Sequence, residues 1–142
     1  MIKKDNALAE FSSRPRFYSL FEINSIASTV EFYTDILGCK LINQTDSVVE
    51  LDFFGNYISG SVRAKKYSDE KCAVSAGFSK RASFGLLMSW EDWNRAVDHM
   101  NYIGVKFFLE PTVKQDDKKK EYAIFLLEDP SGNILEFKSE VS

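Results

Sequence analysis

Apolar and polar side chains alternate along most of this chain, and two segments replace the alternation by a helical spacing. Alternating runs rich in aromatic and β-branched residues predict strands. The first half contains four of them, at about Arg16–Ile23, Lys40–Thr45, Val48–Phe54 and Tyr57–Val62. The second half contains four more, at about Phe84–Trp90, Val105–Glu110, Tyr122–Leu127 and Ile134–Lys138. The charged stretch from Pro111 to Lys120 is predicted to be a loop.

Two segments have the three- and four-residue apolar spacing of amphipathic helices. The first is opened by Ser28-Thr29-Val30-Glu31, which has the form of a capping box. Its apolar stripe comprises Ile26, Val30, Tyr33, Ile36 and Leu37. The second helix is predicted from about Asp92 to Ile103. Gly38 and Gly104 follow the helices and are predicted to end them, because glycine adopts the left-handed conformation of a helix end at little cost.

The predicted elements repeat, which indicates a duplicated unit. Each half has the order βαβββ, and each half closes with a Gly-Asn pair before its last strand, at Gly55-Asn56 and Gly132-Asn133. The extra length of the second half is assigned to the loop around Asp116. We therefore predict an α+β protein with a flexible arm at 1–15 and one domain at 16–142. That domain consists of module one (about 16–63), a linker (64–82) and module two (about 83–138).

Composition and charge narrow the functional classes. The 142 residues fit one domain, and 44% hydrophobic with 27% charged residues is typical of a globular protein. A net charge of −3 argues against nucleic acid or an anionic membrane as the main partner. We expect no signal peptide and no membrane span, since the chain lacks apolar runs of either kind. Cys39 and Cys72 form no metal-binding pair, so reduced thiols in a cytoplasmic protein are expected, with Cys39 a small buried hydrophobe.

The last strong motif is the segment Glu128-Asp129-Pro130-Ser131-Gly132-Asn133-Ile134-Leu135-Glu136-Phe137. Proline, glycine and asparagine favour turns, so the motif predicts a tight turn followed by a strand. On that strand Leu135 and Phe137 point to one face and Glu136 to the other. Glu136 is therefore either solvated or directed into a cavity, and only the second alternative makes it a functional carboxylate.

Paired βαβββ units that end in this motif resemble the vicinal oxygen chelate superfamily, which contains glyoxalase I, bleomycin-resistance and fosfomycin-resistance proteins and extradiol dioxygenases. Further likeness lies in the helix exit Glu31–Cys39 and in the segments Asp52–Gly55, Ser83–Leu86 and Ser89–Trp93. The resemblance implies that both modules form a curved mixed-sheet cup with Glu136 inside it. It also implies a homodimer, in which the cup can be completed across the interface.

The chain departs from this family at the metal ligands. The resemblance implies a histidine on the first strand, a histidine at the start of module two and a glutamate on the last strand, at the positions of Tyr18, Ser83 and Glu136. A further histidine position holds Asn56, and Glu50 lies where some glyoxalases have another carboxylate. Hydroxyls are weak donors for zinc, nickel, iron or manganese, so we predict no metal cofactor. If a divalent metal does bind, its predicted ligands are Glu136, Glu50 and Tyr18.

Other candidate groups are few. His99, the only histidine, lies off the apolar stripe of the second helix and is predicted to be on the surface, so a Ser/His/Asp triad has no support. Ser59 and Ser61 have the alternation phase in module one that Glu136 has in module two. The neighbouring aromatic residues are Phe53, Phe54 and Tyr57. Together they predict an aromatic cup with few polar groups, which suits capture of a small, partly apolar molecule.

Three functions remain open at this point. The first, which we predict, is a glyoxalase-like protein with a degenerate metal site that binds a small organic ligand. Its predicted ligand contacts are Tyr18, Glu50, Phe54, Asn56, Ser59, Ser83 and Glu136. The second is a metal-dependent lyase, isomerase or dioxygenase with an altered site. The third is a metal-free enzyme in which Glu136, the one candidate catalytic residue, acts as a general base.

Overall fold

The computed structural model describes residues 11–63 and 81–142, and its strands form two four-stranded mixed sheets. Module one contains β1 (Tyr18–Ile23), β2 (Lys40–Gln44), β3 (Val48–Phe53) and β4 (Asn56–Val62), ordered β1-β4-β3-β2. Module two contains β5 (Ser83–Met88), β6 (Leu109–Gln115), β7 (Glu121–Glu128) and β8 (Ile134–Glu140), ordered β5-β8-β7-β6. In each sheet the first and last strands pair in parallel. The predicted α+β class with two βαβββ units is confirmed.

Part of the sequence-based division lies outside the described residues. This applies to most of the predicted arm, to all but two residues of the predicted linker, and to Cys72.

Module one has a two-part helix between its first two strands. An α-helix, α1 (Ile26–Val30), continues directly as a π-helix (Glu31–Ile36). Ser25 is the N-cap, with an extended backbone and a side-chain oxygen that accepts a hydrogen bond from the Ser28 N–H at 3.3 Å. The predicted capping box at Ser28 is therefore wrong, because the helix starts one turn earlier. In the π turn Tyr33 is buried as its place in the predicted stripe implies, and Phe32, which the stripe omits, is buried beside it.

Module two has a regular helix, α2 (Trp90–Ile103), which begins at the N-cap Ser89. Gly104 ends it at φ 78°, as Gly38 ends the first helix at φ 80°, so both predicted helix ends are confirmed. Trp93 packs into the core and donates its ring N–H to the carbonyl of Phe137 at 2.9 Å, which fixes α2 on β8. Neither this helix nor the first, within the described part of the chain, is long and apolar enough to cross a membrane.

The strand after α2 differs from the prediction. Val105–Glu110 was predicted as the strand and the segment from Pro111 as a loop, whereas β6 spans Leu109–Gln115. β6 is an edge strand, so its outer side faces solvent and its polar sequence resembles that of a loop. Pro111 is tolerated because the register shifts between Leu109 and Thr112, where a missing N–H costs no regular ladder bond.

The extra length of module two is also distributed differently from the prediction. It is not confined to the loop around Asp116. β6 begins later after Gly104 than β2 does after Gly38, and β6 and β7 are longer than β2 and β3. The extra residues of module two are therefore spread over several segments, whereas the last strands β4 and β8 have the same length of 7 residues.

Aromatic rings fill the core and join the two modules. The Phe84 ring of β5 lies 5.3 Å from that of Phe21 and 5.5 Å from that of Phe53, measured between centroids. In module two, Phe125 and Phe137 stack at 4.7 Å. Cys39 is buried as predicted, and burial raises the pKa of its thiol to about 12. The described residues on both sides of the linker therefore share one continuous core.

The closing turn between β7 and β8 is a clamp between the modules. The Asp129 carboxylate is buried and accepts hydrogen bonds from the Tyr33 hydroxyl at 2.8 Å and from the backbone N–H groups of Ser131 and Asn133. The Asn133 side chain is also buried and donates to the carbonyl of Glu22 on β1 at 2.9 Å. The motif that carried the strongest family likeness thus has a structural role at its turn, while Glu136 follows on the strand.

Candidate functional site

Module one carries a pocket of about 310 Å³ on one face of its sheet, lined by Arg16, Tyr18, Leu20, Glu50, Tyr57 and Ser59. We call it the module-one pocket. β3 buries Val49 and Leu51 in the core, so the intervening Glu50 points to the opposite face. The pocket therefore lies on the open face of the sheet, opposite the side on which the core packs.

Strand register brings these residues together from distant parts of the sequence. β1 pairs in parallel with β4, which places Tyr18 beside Tyr57 and Leu20 beside Ser59. β4 pairs with β3 on its other side, which places Ser59 beside Glu50. Directly paired residues present their side chains on the same face. The parallel β1–β4 pair therefore creates the pocket, with Ser59 at its centre.

The chemistry of the pocket is amphipathic. The Tyr18 and Tyr57 rings meet edge to face at 5.5 Å, and the Arg16 guanidinium carbon lies 5.6 Å from the centroid of the Tyr57 ring. Hydrogen bonding to the Glu50 carboxylate raises the pKa of the Tyr57 phenol, because it stabilises the protonated form. The pocket thus offers two phenols, one hydroxyl, one carboxylate and one guanidinium around an apolar side chain.

A second cavity, of about 380 Å³, lies where the two modules meet, and its lining includes Asn56, Tyr57, Phe84 and Leu87. Asn56 was predicted to contact ligand, and its side chain also donates to the Phe53 carbonyl at 3.1 Å within the β3–β4 turn. Phe54, another predicted contact, lies in that turn with half of its surface exposed and a φ of 53°. Both residues therefore lie at the turn, beside the junction of the modules.

Module two carries the remaining predicted residues. Ser83 is exposed at the start of β5, and Glu136 is half-buried on β8 beside Gly85. Leu135 and Phe137 are buried, so the predicted alternation is confirmed and Glu136 points to the open face of its sheet. Within one chain, neither Ser83 nor Glu136 lines the module-one pocket. The structure therefore brings Tyr18, Glu50 and Ser59 together and leaves the two module-two residues on the other sheet.

The open face of module two also has charged residues that the sequence did not single out. Lys138 lies two positions after Glu136, with its ammonium 4.6 Å from the centroid of the Tyr122 ring. Both line a charged cavity of about 560 Å³, at whose rim Lys120 pairs with Glu140 at 3.2 Å. Arg16 and Leu20 were likewise missed in module one. In the predicted strand Arg16–Ile23, Arg16 and Leu20 have the same alternation phase as Tyr18, which was the available signal, although the observed β1 begins only at Tyr18.

The donor set does not fit a transition-metal site. The positions that correspond to the family's histidines supply a phenol at Tyr18 and a hydroxyl at Ser83. Of the two carboxylates, Glu50 belongs to the first sheet and Glu136 to the second. Across residues 11–63 and 81–142, no three histidine, cysteine, aspartate or glutamate side chains cluster as metal ligands do.

The sequence profile of the glyoxalase/bleomycin resistance protein/dioxygenase superfamily matches residues 21–137. That match covers both modules, and the chain therefore belongs to this superfamily. No curated protein sequence gives a significant match. Membership accounts for the duplicated fold.

Solved structures of other proteins share the fold. A glyoxalase/bleomycin resistance protein/dioxygenase from Alicyclobacillus acidocaldarius is 23% identical and superposes with a TM-score of 0.72, over 91% of this chain and 93% of that one. A virulence protein from Salmonella typhimurium is 16% identical, with a TM-score of 0.63, over 92% and 99%. A lactoylglutathione lyase from Agrobacterium tumefaciens is 10% identical, with a TM-score of 0.65, over 91% and 96%. At these identities the likeness shows the architecture alone.

Proposed function

We propose that this protein binds a small organic ligand in the module-one pocket and uses no catalytic metal. The observation that carries the proposal is that Tyr18, at the position of the family's first histidine, packs its ring edge to face against Tyr57 in the lining of a pocket, where a phenol replaces the imidazole. Two aromatic rings and an apolar side chain supply contact area, while Glu50 and Ser59 supply polar contacts that orient a ligand.

We further propose that the functional unit is a homodimer, in which Ser83 and Glu136 of a second copy close the pocket. Exposed apolar side chains on the open faces support this arrangement. Leu20 and Tyr18 on module one are 65% and 51% exposed, and Leu87 on module two is 85% exposed. Such surfaces favour association with a partner. The negative net charge is consistent with a cytoplasmic protein that binds neither nucleic acid nor membrane.

Metal analysis of protein purified without an affinity tag is the first test. We expect well under one zinc, nickel, manganese or iron per chain, and no change in metal content in Glu136→Ala. A content near one metal per chain that Glu136→Ala removes would overturn the proposal in favour of a metal-dependent lyase or dioxygenase.

A thermal-shift screen of small organic molecules tests ligand binding directly. We expect hits that stabilise the protein, and these hits should lose their effect in Ser59→Phe, which fills the centre of the pocket. Ser61→Phe is the matched control, because Ser61 lies two positions further along the same strand and outside the pocket lining, and it should retain them. Urea unfolding of both variants shows whether a loss of binding results from a filled pocket or from a destabilised fold. Hits that survive Ser59→Phe in a folded protein would place ligand binding elsewhere.

A further inference from the structure

We infer that the module-one pocket selects an organic cation with a flat amidinium or guanidinium group, which takes the place now held by the side chain of Arg16. This inference rests on the proposed function, since it names the chemical class of ligand for the same pocket. It follows from a difference between the fixed and the movable parts of the lining.

The fixed wall of the pocket is anionic. Three paired strands, β1, β4 and β3, hold Tyr18, Tyr57, Ser59 and Glu50 in register. Glu50 is the one charged side chain that these strands contribute to the lining. The aromatic rings add electron-rich faces, which attract cations and not anions. A cation is therefore the ligand charge that the strands themselves favour.

The positive charge of the pocket lining comes from a residue outside the paired strands. Arg16 precedes β1, is exposed, and lies outside any strand. Its guanidinium nevertheless lies over the Tyr57 ring, at 5.6 Å from the centroid. The aromatic wall of the pocket thus already contacts a planar cation, which is the protein's own Arg16 guanidinium. A ligand with the same group can replace it, because an exposed side chain outside the strands can swing away without disturbing the sheet.

The opposite assignment, in which Arg16 anchors an anionic ligand, agrees less well with the geometry. A carboxylate bound to Arg16 over Tyr57 would lie close to the Glu50 carboxylate, which interacts with the same phenol. Two carboxylates beside the same phenol repel each other, and Arg16 is the one cation among the described residues of the pocket lining that could offset both negative charges. The two assignments predict opposite effects of removing Arg16, and a single set of variants can distinguish them.

The test uses three flat probes of nearly identical shape: benzamidine, which is cationic, benzamide, which is neutral, and benzoate, which is anionic. Each is titrated into the full chain and followed by two-dimensional NMR, with the backbone signals of Tyr57 and Ser59 as reporters. We expect benzamidine to bind most tightly. Arg16→Ala should strengthen benzamidine binding by about 2- to 5-fold, since it removes a competing cation. Glu50→Gln should weaken it by about 5-fold or more.

Glu110→Gln is the matched control, because Glu110 is an exposed carboxylate on β6 of the other module. It should leave benzamidine binding unchanged. Tighter binding of benzoate than of benzamidine, or loss of binding in Arg16→Ala, would overturn the cation assignment while leaving the ligand-binding function intact. If no probe shifts the pocket signals and screening hits map elsewhere, the proposed function itself is wrong.

Discussion

The two modules share one topology but differ at the turn before the last strand. In module one that turn is a short hairpin, with Phe54 and Gly55 at φ 53° and 90°, and Phe54 half exposed. In module two the turn is longer and buries two polar residues, with Asp129 only 3% and Asn133 only 1% exposed. The corresponding turn therefore lies on the surface in module one, whereas in module two it connects the two modules through buried hydrogen bonds.

The open faces of the two sheets also carry different kinds of side chain. Module one places an aromatic pair and a single strand carboxylate, Glu50, around a pocket. Module two places Glu136 and Lys138 on its open face, with no aromatic pair of that kind among the contacts of the described residues. The two copies of the duplicated unit thus differ: module one has a pocket lined by an aromatic pair, whereas module two has the clamp and a more highly charged open face.

Removing the clamp should produce the largest effect. Asp129→Ala would leave the fully buried Tyr33 hydroxyl without its acceptor and would remove one of the two acceptors of the Asn133 side-chain amide. We expect a loss of about 3 kcal/mol or more in the free energy of unfolding. Equilibrium urea unfolding at pH 7 measures it.

The matched substitution in module one sharpens the comparison. Asp52 precedes the other turn, and its carboxylate accepts one exposed hydrogen bond, from the Gly55 N–H at 2.7 Å. Asp52→Ala should therefore cost only about 1 kcal/mol. Equal losses in the two variants would contradict the division between clamp and surface turn.

Alkaline unfolding should depend on module one. Burial raises the pKa of Cys39 to about 12 from an ordinary value of 9.0, and burial likewise raises the pKa of Tyr33. Each group keeps its proton in the folded state at a pH where it loses it in the unfolded chain. Its contribution to the free energy of unfolding is therefore complete below the unfolded pKa and decreases as the pH rises above that value. For Cys39 the loss begins at about pH 9 and approaches about 1.4 kcal/mol per pH unit. Urea unfolding from pH 8 to 11 measures the slope.

Cys39→Ala isolates this contribution, because it removes one titrating group and leaves Tyr33 in place. Between pH 9 and 11, the free energy of unfolding should then decrease less steeply with pH, by the amount that about one titrating proton contributes. An unchanged slope would show that the Cys39 thiol titrates alike in the folded and unfolded chains.

Each parallel strand pair contains one glycine, and the two should respond differently to alanine. At Gly85 an added Cβ would collide with the carbonyl oxygen of Glu136, which belongs to the backbone. At Gly60 it would meet the side chains of Ile23 and Phe21 at 3.0 and 3.1 Å, which can shift. We expect Gly85→Ala to cost about 2 kcal/mol and Gly60→Ala about 1 kcal/mol or less, by thermal unfolding. The reverse order would contradict the close backbone contact in module two.

The smallest effect is expected at a surface ion pair. Arg63, which follows β4 directly, and Glu22 on β1 form an ion pair at 3.2 Å, with both side chains partly exposed. Glu22→Gln should cost less than about 1 kcal/mol, and the difference should shrink in 0.5 M salt. A larger or salt-independent loss would mean that this pair, like the Asp129 clamp, has a structural role.

The sequence by itself determined the repeated unit, because alternation, helical spacing and helix-ending glycines are local signals that each module repeats. It identified both helices and all eight strands, although it placed β6 too early. Edge strands such as β6 carry polar residues on a solvated side, which makes them resemble loops. The capping error at Ser28 has a similar cause, since serine at 25 and at 28 offers the same local chemistry.

Only the tertiary structure decided which of the candidate residues meet. Tyr18 and Tyr57 are far apart in the sequence and become neighbours through a parallel pairing that no local pattern encodes. The same holds for the buried contact between Tyr33 and Asp129, which turned the most recognisable motif into a clamp. Local propensity acts over a few residues, whereas a pocket is made by strand order and register, and these are fixed by the packing of the whole core.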